Sequence, residues 1–175
     1  MPDRRHRAHL DITYLKGKRI KISAIIAMSE NMITRRQARE LLLGLLFESE
    51  FRTDEDYIAI YATSAEERLI PDDPYVKNAY YTICENKETI DAKIGECAKG
   101  WRTDRLSKMS RSLLRLGAYE MLYEKGIPYT VTINEVIELA KTYDDPKARS
   151  FINGVLNGVK DSAIASGVEK TERRK

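Results

Sequence analysis

The chain has 175 residues, of which 42% are hydrophobic and 33% are charged, and its formal net charge is +3. This length and composition suit one helical, soluble domain with a real core. The longest apolar runs are far shorter than the roughly 20 residues that span a bilayer, and no apolar segment with a cleavage site follows the basic N-terminus, so we expect no membrane span, no signal peptide and a cytoplasmic location.

Residues 1–33 show no sustained helical pattern and carry much of the positive charge. Residues 1–40 hold ten Lys and Arg against four acids, a net +6, which leaves −3 for residues 41–175. We predict a flexible basic extension over 1–33. Its stretch 18–27 could form a short strand, but the sequence suggests no partner strand for it. A basic end on a mildly acidic body indicates a polyanion contact at one end and protein contacts elsewhere.

The first predicted helix begins at a capping box, Thr34-Arg35-Arg36-Gln37, and continues to about Ser49. A second helix fits residues 54–68, after which two prolines break the chain. A single long helix is then predicted over 75–98, with an apolar stripe facing inward: Val76, Ala79, Tyr80, Ile83, Ile90 and Ile94.

The remaining segments complete a helical bundle. Residues 112–124 are apolar on most sides, which is typical of a central helix. Two amphipathic helices follow within 127–158. Their predicted N-caps are Thr130 or Thr132 for the first, and Asp145 with Pro146 in the first turn for the second. The fold class is therefore all-α, a compact bundle of about seven helices, and a charged tail is predicted from 165 to 175.

Residue types suited to catalysis are scarce. The only histidines, His6 and His9, fall in the basic extension, and the sequence has no Cys/His cluster and no glycine-rich phosphate loop. Glu135 and Glu138 are best interpreted as solvated acids on one helix face. We therefore predict that the chain is not an enzyme and has no catalytic residues, no metal site and no cofactor.

Three arginines occupy the first turns of the first helix: Arg35, Arg36 and Arg39. Positive charge at a helix start opposes the helix dipole, so a purely structural role would favour acids there. Beside free backbone N–H groups, arginines attract phosphates. The pattern favours a polyanion contact over a solvated basic face.

The second amphipathic helix of 127–158 holds a further candidate group. A lone aromatic such as Phe151 or Tyr143 is usually a core residue. Here both have polar neighbours, and RNA-binding surfaces stack unpaired bases on aromatics flanked by cations. The neighbours are Lys147, Arg149 and Asn153.

Two glycines, Gly154 and Gly158, weaken the same helix. Some feature of the fold or of its ligand must require small residues there. Close helix packing is the first explanation, and close approach of a ligand is the second.

Two blocks of the sequence resemble the NusB family of transcription antitermination factors. TRRQARELLLGLLFESEF at 34–51 is similar to the family's arginine-rich first helix. The block at 113–159 is similar to its C-terminal half and carries the runs IP-x-x-V-x-INE-x-x-ELAK and F-[VI]-NGVL.

The resemblance implies an all-helical domain of two small sub-bundles, which we place at 34–164. It implies binding to boxA-type RNA of ribosomal RNA operons together with the small-subunit ribosomal protein NusE, in an antitermination complex on RNA polymerase. It also implies that Arg35, Arg36 and Arg39 contact RNA and that Phe151 lies at the RNA surface, with Lys147, Arg149 and Asn153 near enough to join them.

Three questions stay open at this point. Members of the family include monomers and dimers, so a homodimer is possible. A helical adaptor that binds no RNA is one alternative function. An accessory module related to the N-terminal domain of RNA cytosine methyltransferases is another, although the chain holds no glycine-rich cofactor loop.

Overall fold

The structure is a computed structural model that describes residues 12–15, 18–21, 33–98, 106–168 and 170, with the backbone alone for the first two ranges. The chain divides into two units, Met1–Thr34 and Arg35–Lys175.

The first unit contains an antiparallel hairpin of β1 (Ile12–Leu15) and β2 (Lys18–Lys21), with Thr13 opposite Ile20. The expectation that the strand beginning at Lys18 has no partner is therefore wrong, because β1 pairs with it. Both strands are four residues long, so the alternation that signals a strand is too short to stand out. The predicted flexibility of 1–33 remains a prediction, because most of that segment lies outside the described residues.

The second unit contains seven helices within its described residues. They are α1 (Arg35–Ser49), α2 (Tyr57–Glu67), α3 (Pro74–Glu85), α4 (Lys87–Cys97), α5 (Lys108–Leu122), α6 (Tyr129–Tyr143) and α7 (Ala148–Ala165). This confirms the predicted all-α bundle. Among the described helices, none is long and apolar enough to cross a bilayer.

The predicted long helix over 75–98 is in fact two helices, and Asn86 separates them. The backbone of Asn86 leaves the helical region, with φ −109° and ψ 21°. Its side-chain amide donates to the carbonyl of Thr82 over 2.8 Å. Asparagine side chains compete in this way with the helical hydrogen-bond ladder, and the apolar stripe alone does not reveal it. All six residues predicted to face inward are nevertheless buried.

The starts of the last two helices also differ from prediction. Pro128, and not a threonine, is the residue just before α6. Thr132 lies inside the helix, where its hydroxyl donates to Glu120 over 2.7 Å. Lys147, and not Asp145, is the residue just before α7. The backbone N–H of Lys147 donates to the carboxylate of Asp145 over 2.7 Å. Asp145 thus caps a turn ahead of the helix, because the chain makes one more turn before the helical ladder begins.

Helix α5 is the centre of the bundle, as its apolar character predicts. It packs against α1, α3, α4, α6 and α7. Helices α1–α3 contact one another on one side of it, while α7 contacts α4 and α6 on the other. The starts of α1 and α7 belong to different sub-bundles, and α5 and α6 connect them.

Within the predicted charged tail, Lys170 contacts the bundle. Its ammonium group donates to the backbone carbonyls of Glu120 and Glu124 at the end of α5. A cation at a helix C-terminus interacts favourably with the helix dipole. Burial lowers the pKa of Lys170, against the opposing influence of the two glutamates.

Candidate nucleic-acid interface

Arg35 and Arg36 project from the exposed start of α1. Both side chains are solvent-exposed, and the first turn of α1 contains no acidic residue. The guanidinium carbon of Arg35 lies 4.3 Å from the centroid of the Tyr75 ring, a cation–π contact that orients the side chain without neutralising it. The helix start therefore presents two charged guanidinium groups beside backbone N–H groups, an arrangement that attracts phosphates.

Arg39 does not lie on this surface, in contrast to the sequence expectation. It is 3% exposed, and its Nε and Nη2 atoms lie 2.7 Å and 3.3 Å from the two carboxylate oxygens of Glu120. Its Nη1 atom is 3.6 Å from Glu135. A guanidinium group held in this way cannot reach a phosphate in solvent. The sequence alone does not show that Arg39 is buried. Arg39 follows the core residue Ala38 and lies at the edge of the apolar stripe, so the pattern does not decide whether its side chain is buried or exposed.

Glu120 is the acceptor at the centre of this buried cluster. It is fully buried and also accepts from the Tyr75 hydroxyl over 2.5 Å and from Thr132. Burial disfavours the charge of Arg39, but the hydrogen bonds and charge of Glu120 outweigh it, so the pKa of Arg39 is raised. The cluster fixes α1 to α3, α5 and α6 through side chains that satisfy one another, as buried charges require.

A groove of about 440 Å³ lies between α6 and α7. Its lining combines apolar, amide and charged side chains: Ile133, Asn134, Ile137, Glu138, Lys141, Arg149, Ser150 and Asn153. The Nε atom of Arg149 is buried and has no hydrogen-bond partner among the described residues. A buried donor without a partner carries a desolvation cost that a ligand acceptor would offset.

Charges from both predicted clusters of basic residues act on one carboxylate in the lining of this groove, that of Glu138. Lys141 donates to the carboxylate of Glu138, and this contact lowers the pKa of Glu138. The charges of Arg36 and Arg149 lower it further. Arg36 at the start of α1 and Arg149 at the start of α7, 113 positions apart in the sequence, therefore act on one carboxylate. Lys141 and Asn134 were not predicted as site residues, although both lie in the family-like run at 127–141.

Phe151 faces a second cavity, of about 410 Å³, on α7. The residues that line it are Cys97, Ala98, Lys147, Ser150, Phe151, Gly154 and Val155. Phe151 is half-buried and Lys147 is exposed. Tyr143, the other aromatic weighed from the sequence, is 47% exposed at the end of α6. Ser150 lines both cavities, so the first turns of α7 form a ridge between them.

A family model described as NusB family matches residues 34–161. The chain belongs to the NusB family. The transcription antitermination protein NusB of Bacillus cereus is 40% identical over 129 residues, which cover 73% of this chain and 98% of that protein. The NusB of Bacillus thuringiensis matches at the same identity and coverage. Membership confirms the predicted class, a transcription antitermination factor and not an enzyme.

Solved NusB structures share the fold. NusB of T. maritima has a TM-score of 0.65 and 37% identity, covering 74% of this chain and 92% of that one. NusB in a crystal structure of the antitermination factors NusB and NusE with double-stranded RNA has a TM-score of 0.65 and 28% identity, covering 73% and 96%. NusB of Aquifex aeolicus in solution has a TM-score of 0.66 and 30% identity, covering 81% and 97%.

Proposed function

We propose that this NusB-family chain binds boxA-type RNA of ribosomal RNA operons together with NusE, within an antitermination complex on RNA polymerase. The observation that carries the proposal is the groove between α6 and α7, which Arg149, Lys141, Asn134 and Asn153 line. The Nε donor of Arg149 has no partner among the described residues, and the charge of Arg36, from a separate block of the sequence, acts on Glu138 in the lining.

The groove and the residues around it would offer an unpaired RNA strand contacts for its phosphates, for the polar edges of its bases and for the faces of its bases. Arg35 and Arg36 would bind phosphates at the α1 start, where affinity is electrostatic and falls as salt rises. Arg149 would supply its free Nε–H, while the amides of Asn134 and Asn153 suit the polar edges of bases. Phe151 would stack a base, with Lys147 beside it.

Arg39 enters the proposal as a positioning residue. Through Glu120 it ties α1 to the centre of the bundle, and through Glu135 it reaches α6. The exposed arginines of α1 thereby keep a fixed position relative to the α6 groove. Fixed geometry lowers the entropy that is lost on binding.

The experiment is fluorescence anisotropy with a boxA-type RNA and a scrambled RNA of the same composition, each with and without NusE. We expect tighter binding to the boxA-type RNA and a further gain with NusE. Equal affinity for both RNAs in the presence of NusE would contradict sequence-specific binding.

For NusE we propose the aromatic surface just beyond the end of α1, centred on Phe51. Phe51 is 61% exposed, its ring packs edge-on at 5.1 Å from Phe47, and the ammonium group of Lys108 lies 3.7 Å above it. An exposed aromatic held in a fixed orientation is typical of an interface hot spot. It lies at the opposite end of α1 from Arg35, so a protein and an RNA could occupy the helix together.

Replacing Phe51 by serine is expected to weaken NusE binding roughly 30-fold or more, because truncating a hot-spot aromatic costs about 2 kcal/mol or more. Titration calorimetry with NusE measures it. Binding of RNA to the chain alone should stay unchanged, and Ile58→Ser, which removes another exposed apolar side chain, serves as the control. If both variants bind NusE as the wild type does, the partner surface lies elsewhere.

A further inference from the structure

Glu138 places a carboxylate in the lining of the groove between α6 and α7, where the other charged side chains are the cations Lys141 and Arg149. A carboxylate repels phosphates, so a groove that served only to attract a polyanion would bind better without it. Stability does not account for it either. The Glu138 side chain is 44% exposed, and its ion pair with Lys141 joins residues three positions apart on one helix, a kind of contact that stabilises little.

Glu138 and Lys141 together present a row of polar atoms to the groove. The ammonium group of Lys141 donates to Oε1 of Glu138. In the part of the chain that the structure describes, no side chain donates to Oε2. Each carboxylate oxygen has two lone pairs, so Oε1 can accept a second hydrogen bond. The pair therefore offers one donor followed by two acceptors.

The Glu138 carboxylate is ionised at neutral pH. The hydrogen bond and the charge of Lys141 lower the pKa of Glu138, and the charges of Arg36 and Arg149 lower it further. Hydrogen bonds to an ionised acceptor are stronger than those between neutral groups. The two acceptors of the row are therefore strong ones.

The Watson–Crick edge of guanine complements this row. Its O6 atom accepts, and its N1–H and N2 amino groups donate. Cytosine presents a donor and two acceptors, which is the order of the Lys141–Glu138 pair itself. Uracil presents acceptor, donor and acceptor, and adenine presents one donor and one acceptor. Unpaired bases of RNA are recognised through this edge, so among the four bases the row matches guanine.

We propose that Glu138 reads one unpaired guanine of the bound RNA. The N1–H and N2 amino groups of the base donate to the two carboxylate oxygens, and its O6 atom accepts from the ammonium group of Lys141. Arg36 and Arg149, whose charges act on the same carboxylate, offset its repulsion of the RNA phosphates. This rests on the RNA-binding function proposed above and adds a residue that sets which base the groove prefers.

The test uses Glu138→Gln, because a carboxamide keeps the shape of the side chain and replaces one acceptor oxygen by a donor amino group. Affinity for boxA-type RNA with NusE should fall roughly 5- to 100-fold, the effect of losing one bidentate base contact. The melting temperature should change by no more than about 2 °C, since the side chain is partly exposed. The matched control is Glu67→Gln, which removes the same charge from an exposed position on α2 and should leave RNA affinity unchanged.

Inosine, which lacks the N2 amino group of guanine, gives a readout that a change in charge or in stability would not move. Each guanine of the boxA-type RNA is replaced by inosine in turn. With the wild type and with Glu67→Gln, one of these replacements should weaken binding roughly 10-fold or more, the effect of losing a hydrogen bond to a charged group. With Glu138→Gln, that RNA and the unmodified RNA should bind equally, since the contact is already lost.

Two results would overturn the guanine contact while leaving the proposed function standing. One is an inosine response that is the same in the wild type and in Glu138→Gln, or absent from both. The other is tighter binding of Glu138→Gln to boxA-type and scrambled RNA alike, which would show that the carboxylate only repels phosphates. If the wild type binds boxA-type and scrambled RNA equally with NusE present, the proposed function fails and the guanine contact fails with it.

Discussion

Replacing Arg39 by alanine is expected to lower the free energy of unfolding by about 3–5 kcal/mol. The change removes the guanidinium group from a carboxylate that is fully buried. Among the described residues, Glu120 would keep the hydroxyl groups of Tyr75 and Thr132 as its side-chain partners. A buried charge without its counter-charge is among the most destabilising single changes. Urea denaturation followed by circular dichroism measures the effect.

The matched control is Arg36→Ala, three residues earlier on the same helix. Arg36 is exposed, so its removal should change stability by no more than about 0.5 kcal/mol. If Arg39→Ala unfolds like the wild type and loses RNA affinity instead, Arg39 would be an RNA contact, as its sequence position first suggests, and the buried cluster would have no structural role.

Replacing Arg36 and Arg149 together by alanine is expected to weaken binding to boxA-type RNA roughly 10- to 100-fold at physiological salt, because each supplies a charge-assisted contact. The slope of log affinity against log salt should also become shallower by about 1.4, which corresponds to two phosphates of a single strand. Anisotropy titrations at several salt concentrations measure both quantities.

The control for this pair is Lys77→Ala with Lys87→Ala. Both lysines are exposed, on α3 and at the start of α4, so the change in net charge is the same. An effect equal to that of the arginine pair would mean that total charge, and not the groove, controls binding. If neither pair changes RNA affinity, the RNA contact lies elsewhere on the chain. If the wild type binds NusE but no RNA, the chain would be a helical adaptor that does not contact RNA.

Much of the helical fold could be predicted from sequence because its signals are local. The capping box at Thr34 and the apolar stripe after it defined α1, and the apolar segment near Leu113 identified the central helix. Side-chain competition at Asn86 and the extra turn after Asp145 were missed, because each depends on a few hydrogen bonds that a periodic pattern does not encode.

The candidate site was predictable only in part, for a different reason. Charge at the α1 start and the aromatic–cation pattern of α7 are visible in the sequence. Their common effect on the pKa of Glu138 is not, because it depends on how α1, α6 and α7 pack around α5. The burial of Arg39 likewise depends on Glu120, 81 positions away, so one arginine of three has a structural role that its neighbours on the helix do not share.

The central claim is that RNA crosses the start of α1, the groove between α6 and α7, and the first turns of α7. Photocrosslinking with a boxA-type RNA that carries 4-thiouridine, in the presence of NusE, followed by mass spectrometry of the peptides, tests it most directly. We predict crosslinks within residues 34–37 and 134–154. Crosslinks confined to α2, α3 or residues 1–32 would contradict the account.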